Sequence, residues 1–273
     1  MERLQLASLG SGSRGNATVV RTPDTCLLVD CGFSYKDVCR RLRRLNLDVS
    51  DLDALLITHE HGDHCNGIDT LLSAAKIPVY MSYGTAQCDK MAKLQRVGAK
   101  KLIQCEGEQI DVWKFNAGDR FRIGDVDVQS VPVPHDAREP VQFRFDARGA
   151  RAGLLTDLGW VTSHVQQAYQ DCHALVLEFN HDHIMLENGP YPAALKRRIG
   201  GRLGHLSNQD AVSMLRQLDH QLLQVLVCAH ISEENNSEQV ARAEIEDLDE
   251  DLQRRAYWAS QRDGVDWITV RAK

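Results

Sequence analysis

The sequence lacks the features that would place it in a membrane or outside the cell. No apolar run approaches the roughly 20 residues of a membrane-spanning helix, and the first residues, 1–6, contain no apolar signal core. No low-complexity linker or internal repeat divides the 273 residues. We therefore expect one domain over residues 1–273, cytoplasmic and without membrane association.

Paired cysteines and an excess of positive charge are also missing. None of the eight cysteines forms a Cys-x-x-Cys pair, and most lie among apolar neighbours, as small buried residues with reduced thiols do. The formal net charge is -6 at pH 7. It argues against a uniformly basic surface for nucleic acid, although not against a local basic patch.

What is present is a dense run of metal-ligand residues, Thr58-His-Glu-His-Gly-Asp-His64. Imidazole nitrogens and carboxylate oxygens suit Zn²⁺, Mn²⁺ or Fe²⁺, and four residues supply them: His59, His61, Asp63 and His64. The apolar segment 53–58 predicts a buried strand, which places the run in the loop that follows it. The alternative is a group of surface histidines, but groups this close repel one another unless a cation joins them.

Three further ligand-type residues follow apolar, strand-like segments: His135, Asp157 and His230. A lone residue of this kind is more often capped or solvated than bound to metal. The four ligands of the histidine loop can hold one ion but cannot enclose two, so further ligands are expected at later strand ends. The order His, Asp, His after this loop therefore favours a metal site.

The local patterns predict strands separated by helices. Strands are expected at 4–9, 17–21, 26–29, 79–81, 126–131, 141–145, 152–156, 174–178 and 223–227. Helices are expected at 34–45, 85–97, from the capping pair Ser207 and Asp210 to about 219, and at 237–259 with a solvated acidic middle. Helix 34–45 should expose a basic face with Arg40, Arg41, Arg43 and Arg44. Two sheets packed together and covered by helices account for this order.

With these motifs the chain resembles the metallo-β-lactamase superfamily over nearly its whole length, including Leu28-Val-Asp-Cys-Gly32. The resemblance implies an α/β (α+β) four-layer αββα sandwich that holds two divalent ions, zinc, manganese or iron. It assigns His59, His61 and His135 to the first ion, and Asp63, His64 and His230 to the second. Asp157 would bridge them, as in the dinuclear hydrolases of the superfamily, and Asp30 would accept a hydrogen bond from a ligand imidazole or loop amide.

Four local segments narrow the resemblance to the YycJ/WalJ-type branch, which is related to RNase Z, RNase J and the phosphonate-pathway cyclic phosphodiesterase. They are 8–16, 178–183, 204–208 and 230–236. The chain departs from RNase J in having no room for a β-CASP insertion, and the long arm of RNase Z is not evident.

The resemblance implies a dinuclear metal-dependent phosphodiesterase, expected to be an exonuclease on DNA or RNA, with a metal-bridging hydroxide as nucleophile. Asp63 and His205 are the catalytic candidates, His205 as the general acid. The alternative for His205 is a structural residue before the helix that Ser207 caps. The candidate substrate contacts are Ser11, Ser13, Asn16, His181, Lys196, Arg197, Arg198 and Arg202. Each has a structural alternative. Ser11, Ser13 and Asn16 could form a plain turn, His181 could be a structural histidine, and the four basic residues could form a solvated helix face.

Two other function classes stay open. One is a thioester, lactone or other carboxyl-ester hydrolase of the glyoxalase-II type, which shares the metal motif. The other is a metal-dependent binding module without activity. The sequence fixes neither the native metal nor the oligomeric state, and nucleic acid or another phosphodiester is the expected partner.

Overall fold

Two mixed β-sheets face each other in the computed structural model, which describes residues 4–89, 91, 110–218, 221–246, 248 and 250–272. The first sheet has the strand order β14-β1-β2-β3-β4-β5-β6. Its strands are β1 (Leu4–Gly10), β2 (Ala17–Arg21), β3 (Cys26–Val29), β4 (Ala54–Leu56), β5 (Val79–Ser82), β6 (Val112–Phe115) and β14 (Val265–Val270).

The second sheet has the matching order β13-β12-β11-β10-β9-β8-β7. Its strands are β7 (Arg120–Ile123), β8 (Val126–Pro132), β9 (Val141–Ala147), β10 (Ala150–Leu155), β11 (Ala174–Glu178), β12 (Val225–Ala229) and β13 (Ala256–Trp258). Neighbours are parallel from β3 to β6 in the first sheet and from β10 to β13 in the second. The carboxyl ends of these parallel strands therefore lie along one edge of each sheet, where ligands commonly bind in such folds.

Helices cover the outer face of each sheet. Those described are α1 (Tyr35–Arg44), α2 (Gly62–Cys65), α3 (Ile68–Ala74), α4 (Tyr83–Ala86), α5 (Ser163–Tyr169), α6 (His183–Asn188), α7 (Ala193–Ile199), α8 (Asn208–Leu215), α9 (Glu238–Ile245) and α10 (Glu250–Arg254). Within this described set, no helix is long and apolar enough to cross a membrane.

Three apolar clusters lie between the layers. Alternate residues of a central strand point to opposite faces of its sheet and so belong to two different clusters. Leu27 and Val29 of β3 point into the cluster between the sheets, whereas Leu28 points into the cluster beneath α1 and α3. In the second sheet Val176 points inward and Leu175 points towards the helices. Because both faces of these strands are buried, their sequences are continuous apolar runs. Two facing sheets with helices on their outer faces confirm the expected αββα sandwich.

The predicted strands agree with observed strands to within a few residues, but the predicted helices at 237–259, at 85–97 and up to about 219 do not all match the structure. Segment 237–259 is not one helix: α9 and α10 are separate, and the chain then forms β13, which pairs in parallel with β12. Like charges repel along the acidic run 244–251, which weakens a continuous helix there. Of helix 85–97, the part beyond α4 lies mostly outside the described residues, and α8 ends four residues before 219.

Arg41 is a further correction, because it is buried and not part of an exposed basic face. Its Nη1 donates to the backbone carbonyl oxygens of Leu9, at 2.5 Å, and Arg262, at 2.7 Å. The guanidinium lies over the ring of Phe33, 3.9 Å from its centroid. Arg41 thus ties α1 to the ends of β1 and the segment before β14, and its charge is satisfied by carbonyl groups.

Candidate metal centre

The histidine loop lies where β4 ends, and it supplies two members of a first cluster. Nε2 of His59 is 3.1 Å from Nδ1 of His61, and Nε2 of His135 is 3.2 Å from the same nitrogen. One ligand atom from each of the three residues lies within 4.8 Å of the others. His135 follows β8, which runs in the same direction as β10, so its carboxyl end reaches the same edge of the sandwich.

A second cluster brings together one ligand atom each from Asp63, His64, Asp157 and His230, again within 4.8 Å. Nε2 of His64 lies 3.2 Å from Oδ2 of Asp157, and Nε2 of His230 lies 3.6 Å from Oδ1 of Asp157. Asp157 thus faces two histidines through different carboxylate oxygens. All seven residues that the sequence proposes as ligands therefore lie in two adjacent groups.

Asp30, directly after β3, binds the histidine loop through Thr58 and His64. Its carboxylate accepts hydrogen bonds from the backbone N of Thr58 at 2.9 Å and from the hydroxyl of Thr58 at 2.8 Å. It also lies 2.8 Å from Nδ1 of His64. Since Nδ1 of His64 is engaged there, Nε2 is the nitrogen that faces the second cluster.

The backbone is left-handed at three residues of this centre: Asp30, with φ 62°, Asp157, with φ 53°, and His230, with φ 56°. Each comes within two residues of the end of a parallel strand. Such a conformation costs a non-glycine residue on the order of 1–3 kcal/mol and persists where the surroundings fix it. Here it turns the side chain back across the sheet edge, towards the other ligand residues.

The donor set fits divalent cations. Nε2 of His230 is buried and has no hydrogen-bond partner within the part of the chain that the structure describes. Burial lowers the pKa of His230, but the carboxylates of Asp157, Asp63 and Glu178 outweigh burial and raise it to about 10. Buried carboxylates that stabilise a proton on His230 so strongly would also stabilise a metal cation in place of that proton.

Glu178, the last residue of β11, is the site residue that the sequence reasoning missed. It is fully buried, and its Oε1 lies 2.9 Å from Nδ1 of His205 and 2.7 Å from Nδ1 of His230. Its Oε2 accepts from the backbone N of Leu158 and Leu206. The signal was the one used for Asp157, namely an acid at the end of an apolar strand.

A cavity of about 340 Å³ opens onto both clusters. Of the predicted substrate contacts and the predicted acid, it is lined by Ser13, Arg198 and His205. The ring centroid of His205 lies 5.2 Å from that of His135 and 5.1 Å from that of His230, so this side chain is placed between the clusters.

The other predicted substrate residues lie elsewhere. Ser11 and Asn16 are buried against the centre: the Ser11 hydroxyl accepts from the backbone N of His230, and the Asn16 amide nitrogen is 3.2 Å from Asp63 Oδ2. His181 is buried outside the cavity lining. The remaining basic residues also stand outside it: Lys196 donates to the carbonyl of Glu187, Arg202 stacks on Trp160, and Arg197 is exposed.

Comparison with known proteins places this geometry in a family. Residues 25–231 match the model of the β-lactamase superfamily domain. Exodeoxyribonuclease YycJ of Bacillus anthracis is 33% identical over 242 residues, which are 89% of this chain and 88% of the relative. Exodeoxyribonuclease WalJ of Streptococcus pneumoniae is 36% identical over 234 residues, 85% of this chain and 83% of the relative.

The fold comparison agrees. The metallo-β-lactamase fold protein YhfI from Bacillus subtilis superimposes with a TM-score of 0.72 at 14% identity, covering 98% of this chain and 99% of YhfI. The chain therefore belongs to the metallo-β-lactamase superfamily and, within it, to the YycJ and WalJ family of metal-dependent hydrolases.

Proposed function

We propose that this chain is a dinuclear metal-dependent phosphodiesterase that acts as an exonuclease on DNA. In this proposal His59, His61 and His135 would hold one ion, Asp63, His64 and His230 would hold the other, and Asp157 would be shared by both. The two clusters at the sheet edge and the exodeoxyribonuclease relatives support it.

The observation that carries the proposal is the position of His205. Its Nδ1 lies 2.9 Å from the Glu178 carboxylate, which leaves Nε2 as the nitrogen available to a ligand in the cavity. A histidine held in this way between two ligand clusters is suited to protonate a poor leaving group. The alkoxide oxygen of a DNA phosphodiester is such a group, whereas a thiolate leaves without protonation.

The reaction divides between the ions and the side chains. Divalent ions held by these residues would supply a bound water molecule of lowered pKa and an electrophilic contact for a phosphoryl oxygen. Arg198 places a positive charge on the cavity wall, where it attracts the phosphate. As the bond from phosphorus to the leaving oxygen breaks, His205 donates its Nε2 proton to that oxygen, and Glu178 stabilises the orientation and charge of the ring.

The test is a digestion series with the metal-loaded protein. End-labelled single- and double-stranded DNA and RNA are incubated with Mn²⁺ or Zn²⁺, in parallel with a glutathione thioester. The proposal predicts stepwise shortening of DNA from one end. Hydrolysis of the thioester without any cleavage of phosphodiesters would instead favour the carboxyl-ester alternative, and preferential degradation of RNA would correct the substrate.

Two variants purified in the same way provide the controls. The double substitution His59→Ala and His61→Ala removes two proposed ligands and should abolish cleavage, which excludes a contaminating nuclease. His164→Ala changes an exposed histidine of α5 outside the cavity lining and should leave cleavage unchanged.

A further inference from the structure

One side of the cavity is apolar, and it is formed by α7 and the turn before it. Tyr191, Leu195 and Ile199 all line the cavity. They are spaced four residues apart, which brings residues onto one face of a helix. We call these three side chains the apolar wall.

The apolar wall faces the cavity because α7 does not pack into the core. All seven residues of α7 are described, and none of them is buried. Its position is nevertheless fixed at the carboxyl end. The Nε of Arg198 lies 2.5 Å from Oδ2 of Asp136, the residue after His135, and the backbone N of His205 donates to the carbonyl of Ile199 at 2.8 Å. The wall is therefore held at a set distance from the metal clusters.

The cavity thus combines two surfaces of opposite character. Ligand side chains and Arg198 form a charged surface for a phosphate, and the apolar wall offers an aromatic ring and two aliphatic side chains. Its volume of about 340 Å³ is at the lower end of the roughly 300–1,000 Å³ of ligand pockets. One nucleotide suits such a space better than a base pair does.

We propose that the apolar wall binds the terminal base of a single-stranded DNA end, with the ring of Tyr191 as its stacking platform. This inference rests on the proposed function and adds the substrate class that the cavity selects. Within the described part of the chain, no aromatic ring or guanidinium stacks on Tyr191. Because every base has a π-face, stacking of this kind tolerates any sequence.

The test compares Tyr191→Ala and Tyr191→Phe in the metal-loaded enzyme. The substrates are single-stranded oligonucleotides with an ordinary terminal nucleotide or with an abasic residue at the attacked end. Tyr191→Ala removes the stacking contact with one base, so it should raise KM for the ordinary substrate by about 5- to 150-fold. The abasic substrate should show little change, and Tyr191→Phe should behave like the unchanged enzyme. Tyr257→Ala, at an exposed tyrosine of β13, is the matched control.

A binding measurement tests the same contact without turnover. Calorimetry compares deoxyadenosine monophosphate with 2-deoxyribose 5-phosphate, which lacks the base. The unchanged enzyme should bind the nucleotide more tightly, and Tyr191→Ala should remove that difference while it retains affinity for the sugar phosphate.

The outcomes separate this inference from the proposed function. If the unchanged enzyme degrades DNA but Tyr191→Ala affects ordinary and abasic ends equally, the stacking role is wrong and the nuclease proposal stands. Equal binding of nucleotide and sugar phosphate by the unchanged enzyme would likewise overturn the stacking role. If the unchanged enzyme degrades no DNA, the proposed function itself fails.

Discussion

Oε1 of Glu178 lies 2.9 Å from Nδ1 of His205, and this contact orients the ring that we propose as the general acid. The same oxygen is 2.7 Å from Nδ1 of His230, so one carboxylate supports both a metal-cluster residue and the acid. Burial raises the pKa of Glu178, but the neighbouring His205 and His230 lower it to about 2. Glu178 is therefore ionised near neutral pH.

Glu178→Gln tests this coupling. The amide keeps the shape of the side chain but removes its negative charge, so His205 loses its charged partner. Turnover on DNA should fall by about 10²–10⁴-fold, the usual contribution of a positioned acid, and metal affinity by about 10–100-fold because His230 is also affected. Single-turnover rates and metal titration measure the two effects. The exposed Glu187→Gln is the control, and normal turnover in Glu178→Gln would show that the contact has no catalytic role.

The ligand residues were accessible to sequence reasoning because each follows an apolar strand, and parallel strands bring their carboxyl ends to one edge. Glu178 follows the same rule, because it is the last residue of the predicted strand 174–178, but the sequence does not show that its side chain turns towards the ligand residues. The apolar wall was not predictable, because the spacing of Tyr191, Leu195 and Ile199 does not reveal which surface the helix faces. Segment 237–259 was mistaken for one helix because pairing of β13 with β12 is a tertiary effect.

Two metal ions per chain are expected at saturation. Seven ligand residues are too many for one tetrahedral ion, and they form two adjacent groups. Elemental analysis of protein loaded with zinc or manganese, combined with an anomalous difference map, gives the count. Saturation at one ion, or a single anomalous peak, would reduce the site to a mononuclear one.

Asp157→Ala should abolish activity and weaken both ions. In our proposal Asp157 is shared by the two ions, so the substitution would remove an anionic ligand from both. It should also raise the pKa of the water that the ions activate. Metal content after dialysis and the rate on DNA are measured beside Asp69→Ala, an exposed aspartate of α3. If the variant retained two ions and near-normal turnover, Asp157 would not be a ligand shared by the two ions.

Asp125 should make folding stability depend on acid pH. Burial raises the pKa of its carboxyl, but hydrogen bonds from Thr22, Thr25 and Arg148 lower it below its ordinary value. A lowered pKa stabilises the fold above the unfolded value near pH 4, and this contribution disappears as the pH falls through the folded value. Asp125→Asn should thus cost roughly 1.5–3 kcal/mol at pH 7, and less at pH 3, which lies below the unfolded value. Urea unfolding at both pH values measures the difference, and an equal loss at both would contradict the assignment.

His205→Ala should lower turnover without releasing metal. The side chain lies between the clusters, but its Nδ1 is turned to Glu178, so neither ion depends on it in our assignment. On DNA the rate should fall by about 10²–10⁴-fold. On bis-(p-nitrophenyl) phosphate the loss should be much smaller, because p-nitrophenolate leaves without a proton. Equal losses on both substrates would show that His205 positions the phosphate. Loss of metal together with activity would make His205 a ligand, in keeping with its place in the group of Asp157, Glu178 and His230.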